Sequence, residues 1–346
     1  MDDTRSDGEA KRALLARRPR RVTASDVAER AGVSRSAVSR AFSEGAYLDE
    51  EKRQRILTSA TELGYHPNVM AAAMTGVRSN LIAVVSGDMS REQDSAFLSH
   101  LVSELNAIGK WPVLFGGNEV EPEDSLLPIL RYPLDALIVR GGSVFPTLVE
   151  RCTKLNIPMI LSGQVLELPG VDCVCSRNAD GAAMATDLLL SKGRLRFGYI
   201  GGPSDWYSDR ERLAGVRKRL KQNDLQPQSV IYADYTYEGG RNAAREMFSS
   251  TADINAIICA NDAMALGALA YLRHETRLRV PADVSIIGFD DIAMSAWPDF
   301  DLTTVRNPID KAVSEILRLL EKRLQQPDCA EEVVLTDLSL TLRGTH

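Results

Sequence analysis

The 346-residue sequence predicts a small all-α head of helix-turn-helix type followed by a larger α/β body built on parallel sheets. Three observations carry this reading. Residues 23–42 hold two short helical patterns separated by Gly32-Val-Ser34, and from residue 81 onward short unbroken apolar runs alternate with helical stretches. Charge divides the chain at the same place: residues 1–80 carry 14 Lys/Arg against 11 Asp/Glu, whereas residues 81–346 carry 27 against 36, so the overall −6 hides a basic head on an acidic body. At 44% hydrophobic and 25% charged, the composition sets aside disorder, collagen and coiled coil for the chain as a whole.

Residues 1–21 read as a basic, disordered tail. Between positions 10 and 21 stand Lys11, Arg12, Arg17, Arg18, Arg20 and Arg21 with no acid among them, a run suited to nucleic acid or simply to solvent. Leu14-Leu15 is too brief for a signal-peptide core, and no stretch reaches the ~20 apolar residues of a membrane span. A cytoplasmic protein without a membrane partner is expected. Cys152, Cys173, Cys175, Cys259 and Cys329 include one close pair and no second pair or nearby His, so they read as reduced core thiols, with no metal and no cofactor expected.

Residues 22–66 form the expected helix-turn-helix domain. Thr23 and Ser25 can cap a first helix that places Val27, Ala28 and Ala31 on one face and stops at Gly32, which can close it in the left-handed conformation. Ser34 can cap the next helix at once. In that second helix Val38 faces inward, with Ala41 and Phe42 as further candidates, leaving Arg35, Ser36, Ser39 and Arg40 outward. Such side chains hydrogen-bond bases and phosphates. Asp49 should cap a third helix carrying Ile56, Leu57, Ala60 and Leu63 up to Gly64. Residues 67–80 are then a linker in which 68–76 has helix propensity but no core, so it should fold only when something stabilises it.

The pattern Asp26-Val-Ala-x-x-Ala-Gly-Val-Ser34-x-x-x-Val-Ser-Arg40, followed by Glu62-Leu-Gly-Tyr-x-Pro-Asn68 and Arg78-Ser79, resembles the DNA-binding head of the lactose repressor/galactose repressor (LacI/GalR) family. The resemblance implies that the second helix enters the major groove, with Arg35, Ser36 and Arg40 at base edges and Thr23, Ser34 and Ser39 on phosphates. Arg35 and Arg40 are the specificity candidates, since an Arg can bond both acceptors of a guanine. It further implies that 68–76, including Asn68, is a hinge helix folding in the minor groove, with an apolar side chain wedged into a base step. Met74 stands where the family usually has Leu, and Ala72, Ala73 and Thr75 replace polar or basic choices.

In the body, residues 81–346, apolar runs at 81–85, 112–115, 136–139, 158–161, 197–200, 256–259 and 284–288 are separated by helical stretches near 96–108, 146–155, 179–192, 208–222, 240–249, 262–275 and 309–325. Unbroken apolar strands alternating with helices give a parallel sheet covered on both faces, whose ligands bind beyond the strand carboxyl ends. Those ends are polar or Gly-rich: Gly87-Asp88, Arg140-Gly-Gly142, Ser162-Gly-Gln164, Gly201-Gly202, Asn261-Asp262 and Asp290-Asp291. No GxGxxG, GxxxxGK[ST] or GxSxG occurs, so an enzyme has no anchor.

Arg212-Leu-Ala-Gly215, Ala260-Asn-Asp-Ala-Met-Ala-Leu-Gly267 and Asp283-Val-Ser-Ile-Ile-Gly-Phe-Asp290-Asp, then Leu302-Thr-Thr-Val305, are similar to the same family's effector domain, a periplasmic-binding-protein-like pair of doubly wound subdomains around a cleft. The resemblance implies that Arg212, Asn261 and Asp290 hydrogen-bond the effector and that Tyr235 stacks on it. The alternatives are an Arg212–Asp290 ion pair in an empty cleft, Asn261 as a helix cap only, and a Tyr235 outside the site. Phe97, with Leu98, Leu101 and Leu105, reads as a core stripe. Gly163-Gln164 and Arg177 depart from the family's pattern; with Arg140, Arg177 and Arg212 near the strand ends, an effector bearing a carboxylate or phosphate is the hypothesis.

The expectation is a sequence-specific transcriptional regulator, a repressor, that binds double-stranded palindromic operator DNA as a homodimer and responds to a small sugar-like or anionic effector. The family's tetramers use a C-terminal Leu heptad; Leu340-Thr-Leu-Arg-Gly-Thr-His346 lacks one, so a dimer is expected. The alternative is a solute-binding protein without a DNA role, against which the head weighs.

Overall fold

The computed structural model describes residues 20–43, 45–67, 78–116, 127–141, 146–249 and 253–346. The expectations for the tail up to residue 19 and for the hinge segment, with Asn68 and Met74, lie outside these residues. The chain separates into two units, one ending at Ser79 and one beginning at Asn80.

In the first unit, α1 (Ala24–Ala31), α2 (Arg35–Ala41) and α3 (Glu50–Leu63) pack Val27, Val38 and Ile56 into a core sealed by Ala31, Ala41 and Ala60. Local signals explain each boundary. The Thr23 backbone N–H and hydroxyl both donate to Asp26, at 2.7 Å, closing a capping box that satisfies donors a helix start leaves free. Gly32 ends α1 at φ 65°, a left-handed conformation with little cost only for glycine. Asp49 accepts from the Lys52 N–H at the start of α3. Arg53 then donates to the carbonyls of Ala41 and Ala46 at 2.7 and 2.8 Å, tying α3 to the end of α2. Phe42 departs from the inward expectation: it is 37% exposed and meets Tyr65 edge-on at 5.8 Å, because it lies just past the end of α2.

The second unit contains two six-stranded sheets. The first has the order β11 (Val333–Thr336), β5 (Val171–Ser176), β4 (Met159–Ser162), β3 (Ala136–Arg140), β1 (Leu81–Ser86), β2 (Trp111–Phe115), all parallel. Ile82, Val84 and Ile138 face α4 (Glu92–Ala107) and α10 (Ile309–Gln325), while Ala83, Val85, Leu137 and Val139 face α5 (Pro146–Lys154). Successive residues are therefore buried from Ile82 to Val85 in β1 and from Ala136 to Val139 in β3, which is why these strands read as unbroken apolar runs. The second sheet runs β12 (Ser339–Thr341), β10 (Thr304–Arg306), β9 (Ser285–Asp290), β8 (Ala256–Cys259), β6 (Phe197–Gly201), β7 (Ser229–Tyr232). It is flanked by α6 (Asn178–Ser191), α7 (Tyr207–Lys221), α8 (Tyr237–Ser249) and α9 (Asp262–Glu275). β12 pairs antiparallel with β10, the one departure from parallel order among the described strands. The chain passes between the two sheets three times, at 176–178, 306–309 and 336–339. Hydrogen bonds join these crossings: Ser176 Oγ donates to Asn307 Oδ1 at 2.7 Å, and Arg177 N–H to the Thr336 carbonyl at 3.0 Å.

Candidate functional sites: an exposed helix face and a cleft at the strand ends

The outward face of α2 presents Arg35, Ser36, Ser39 and Arg40, all exposed, with Ser34 exposed at its start. Packing explains the arrangement, since Ala37, Val38 and Ala41 are spent on the core. Ser34 Oγ accepts the Ala37 N–H at 3.3 Å and lies 2.9 Å from Ser36 Oγ. Arg40 Nε donates to the Ser36 carbonyl at 3.4 Å, leaving the outer nitrogens of its fork facing solvent. Among the described residues neither Arg35 nor Arg40 has a carboxylate partner. Two unneutralised guanidinium groups on one short helix suit bidentate acceptors such as guanine edges or phosphates. Thr23 is exposed at the start of α1, its hydroxyl already engaged by Asp26.

In the second unit the carboxyl ends of both sheets meet at a cleft enclosing about 1140 Å³, its open mouth included. Strand order explains the location. In the first sheet the chain moves to one side of β1 for β2 and to the other for β3, and β6 has the same relation to β7 and β8. Connections leave in opposite directions at such a point and open a crevice.

Arg212, Asp290, Asn261, Tyr235 and Arg140 all line this cleft. Arg212, on α7, donates through Nε to Asn178 Oδ1 at 2.8 Å and through Nη1 to the Ala260 carbonyl, and its Nη2 lies 3.6 Å from Asp290. Its guanidinium lies 3.6 Å over the Phe289 ring. Asp290 adopts φ 112° and Asp291 φ 61°, left-handed backbone that side chains rarely take and that recurs at functional sites. The C-terminal segment holds this turn, Arg343 pairing with Asp291 at 2.6 Å and Thr341 donating to it at 3.0 Å. Burial raises the Asp290 carboxyl above its ordinary range, with the Arg212 charge opposing. Asn261 caps α9 through the Met264 N–H at 2.9 Å and donates to the Tyr235 carbonyl at 3.0 Å. The ion pair and the cap anticipated as alternatives are thus both formed, and a ligand would have to exchange with them. Tyr235 is buried at φ 66°, its ring 5.5 Å from that of Trp206.

Arg140 ends β3, donating to Asp94 at 3.1 Å and Ser162 at 3.2 Å, with its guanidinium 4.1 Å over Phe97. Phe97 is accordingly both a core residue and the cleft floor. Arg177 is not among the residues lining the cleft. It occupies the turn before α6, and its side chain pairs with Asp337 at 3.0 Å, half exposed.

Several lining residues were not anticipated. Arg91, just before α4, extends from the first subdomain over Trp206 and Tyr235 of the second, 4.6 and 5.6 Å from their ring centroids. Gln93 donates to the Asn307 carbonyl at 3.4 Å, and Asn307 Nδ2 approaches Asp290 at 3.4 Å. Asn307 follows a strand end, so recognising β10 in the sequence would have found it. Asp262 is fully buried beneath the site, accepting from Ile292 N–H, Ser295 and Thr304. Burial, and next the Asp290 charge, push its carboxyl up to about 7. Cys152, Cys173, Cys175 and Cys259 are buried free thiols, and among the described residues no group of three or more His, Cys, Asp or Glu is placed to hold a metal ion. No helix among those residues is long and apolar enough to cross a membrane.

Comparison with known proteins agrees with this two-part architecture. Residues 23–68 match the bacterial regulatory proteins of the lacI family, and residues 186–346 match a periplasmic binding protein-like domain. The chain is 32% identical over 296 residues to the transcriptional regulator GalS of Salmonella typhimurium, covering 83% of this chain and 86% of that protein. It is 29% identical to the repressor CytR of Escherichia coli K12, over 93% and 96% of the two chains. Among solved structures, the lac repressor dimer bound to operator and the anti-inducer ONPF superposes with a TM-score of 0.84 at 26% identity, over 94% of this chain and 99% of that one. A complex of the transcriptional regulator CelR with cellobiose gives 0.72 at 27%, over 94% and 100%. The chain belongs to the LacI family of bacterial regulatory proteins and is a helix-turn-helix transcriptional regulator, not an enzyme.

Proposed function

We propose that this regulator is a repressor that binds a palindromic operator as a homodimer and changes its affinity when a small sugar-like or anionic metabolite enters the cleft. The observation that carries the reading is the presence, in one chain, of an unneutralised polar face on α2 and a polar cleft crossed by three connections. Arg35, Ser36 and Arg40 read base edges, while Thr23, Ser34 and Ser39 hold phosphates and fix the register. Asn68 and Met74 belong to a hinge, residues 67–80, that folds against the minor groove when two copies meet. The solved complexes of lac repressor with operator and of CelR with cellobiose support this by similarity.

In the cleft, Arg212, Asn261 and Asp290 exchange their internal partners for ligand hydroxyls, Tyr235 covers the ligand, and Arg140 approaches from the opposite sheet. Arg177 contributes nothing there. Because the chain crosses between the subdomains at 176–178, 306–309 and 336–339, a ligand touching both favours one mutual orientation, and its differential affinity for the two orientations sets the response. The test is selection of the full-length protein on a randomised duplex pool at physiological salt, with sequencing of what is retained. Recovery of a palindrome that sugars or their derivatives release supports the proposal; recovery of no preferred sequence, with or without such compounds, overturns it.

A further inference from the structure

Resting on that reading of the cleft, we infer that Arg91 selects the effector, and that it selects a ligand carrying an oxyanion, a carboxylate or a phosphate. Most ionic groups of the lining have partners within it, Glu92 being an exception. Arg212 faces Asp290, Arg140 faces Asp94, and the buried Asp262 is filled by three donors. Arg91 is left. Among the described residues its nearest carboxylate is Asp88, an ion pair at 3.9 Å that is too long for a hydrogen bond, and its buried Nε has no hydrogen-bond partner among them.

The flat face of the Arg91 guanidinium is covered by Trp206 and Tyr235, which fixes the plane of the group and leaves its edge for a partner. Among the described residues, one other buried polar atom of the lining lacks a partner, Gln164 Nε2, and it too is a donor. A buried donor left unmade costs free energy that an acceptor on the ligand removes. Both orphaned atoms call for acceptors, and a guanidinium in partial burial favours a charged, bidentate one. Glu92, which also lines the cleft and has no ion-pair partner among the described residues, is placed to accept from hydroxyls of the same ligand. The ligand class is therefore a polyhydroxylated acid or phosphate rather than a neutral sugar. The anionic group expected near Arg140, Arg177 and Arg212 falls to Arg91 instead, since Arg177 faces Asp337, Arg140 faces Asp94 and Arg212 faces Asp290.

The experiment titrates full-length protein with D-glucuronate, D-galacturonate, D-glucose 6-phosphate and inorganic phosphate, against D-glucose and D-galactose, by calorimetry at constant ionic strength. Operator binding is measured on the same preparations. At least one anion is expected to bind about ten- to a hundredfold more tightly than its neutral counterpart, the worth of a charge-assisted hydrogen bond. Arg91→Gln should erase that ratio, and Arg91→Lys should restore it only in part, since a point charge lacks the fork. The uronate and glucose 6-phosphate arms separate a carboxylate from a phosphate. Neutral sugars binding as tightly as the anions, an anion-to-neutral ratio unchanged by Arg91→Gln, or no binding by any of the anions overturns the inference. If a neutral sugar releases operator DNA, the proposed function stands while the role of Arg91 fails; if no specific DNA is bound at all, the proposed function itself fails.

Discussion

Replacing Arg212 with Ala should destabilise the second unit by about 3–5 kcal/mol, the usual cost of removing one partner of a buried ion pair. The side chain is 8% exposed and serves four neighbours: Asn178, the Ala260 carbonyl, Asp290 and the Phe289 ring. Its loss leaves two buried acceptors unmet and isolates a carboxylate that is 9% exposed. Burial already raises the Asp290 carboxyl while the Arg212 charge holds it down, so the variant should take up a proton there nearer neutrality. The 3.6 Å separation of the pair places the loss toward the lower end of the range. Denaturant unfolding followed by far-UV circular dichroism at pH 7 measures it, with Arg212→Ala, Asp290→Ala and the double variant forming a cycle. The double variant should be more stable than the sum of the single effects by about 0.5–3 kcal/mol. A single-variant loss below about 1 kcal/mol, or strict additivity, would refute the argument that these two groups answer one another.

Further expectations follow from other sites. Gly267→Ala should cost about 1–3 kcal/mol, because its Cβ would stand 1.9 Å from the Tyr237 carbonyl oxygen where α8 and α9 touch; the loss should exceed that of Gly32→Ala, whose φ of 65° is strained but whose surroundings are open. Asp262→Asn removes a carboxyl whose folded-state value, about 7, exceeds its unfolded value, so the wild-type contribution is full below about pH 4 and is lost as pH rises through 7. Thermal unfolding from pH 5 to pH 8 should therefore show the variant gaining on wild type by up to several kcal/mol, on the order of 1.4 kcal/mol per pH unit; a difference independent of pH contradicts this. Arg35→Ala should lose about 1–3 kcal/mol at particular base pairs in competition assays, whereas Ser39→Ala should weaken all sequences alike.

Much of the architecture was legible because the signals were local. The seven helices and seven apolar runs expected in the second unit reappear within a few residues of their expected places, because central strands covered on both faces leave a plain apolar pattern. The short or mixed strands did not. β5 carries Asp172, a charge tolerated only because Arg323, 151 residues away, meets it at 2.7 and 3.0 Å, and such a partner is invisible to any window along the chain. β7, β11 and β12 are edge strands of three or four residues with exposed positions, too weakly patterned to stand out. In the cleft, Arg212, Asn261 and Asp290 stood in recognisable motifs, but which way a side chain turns was not legible: Arg177 turned outward to Asp337, and Arg91, in an unremarkable loop, turned inward onto two aromatic rings of the other subdomain.

The most direct test of the central claim is the stoichiometry and half-site dependence of full-length protein on the duplex recovered by selection, measured by fluorescence anisotropy and sedimentation. The account predicts two chains per duplex and a steep loss of affinity when either half-site alone is scrambled, because two α2 faces must be satisfied together. One chain per duplex, with unchanged affinity for a single half-site, would contradict it.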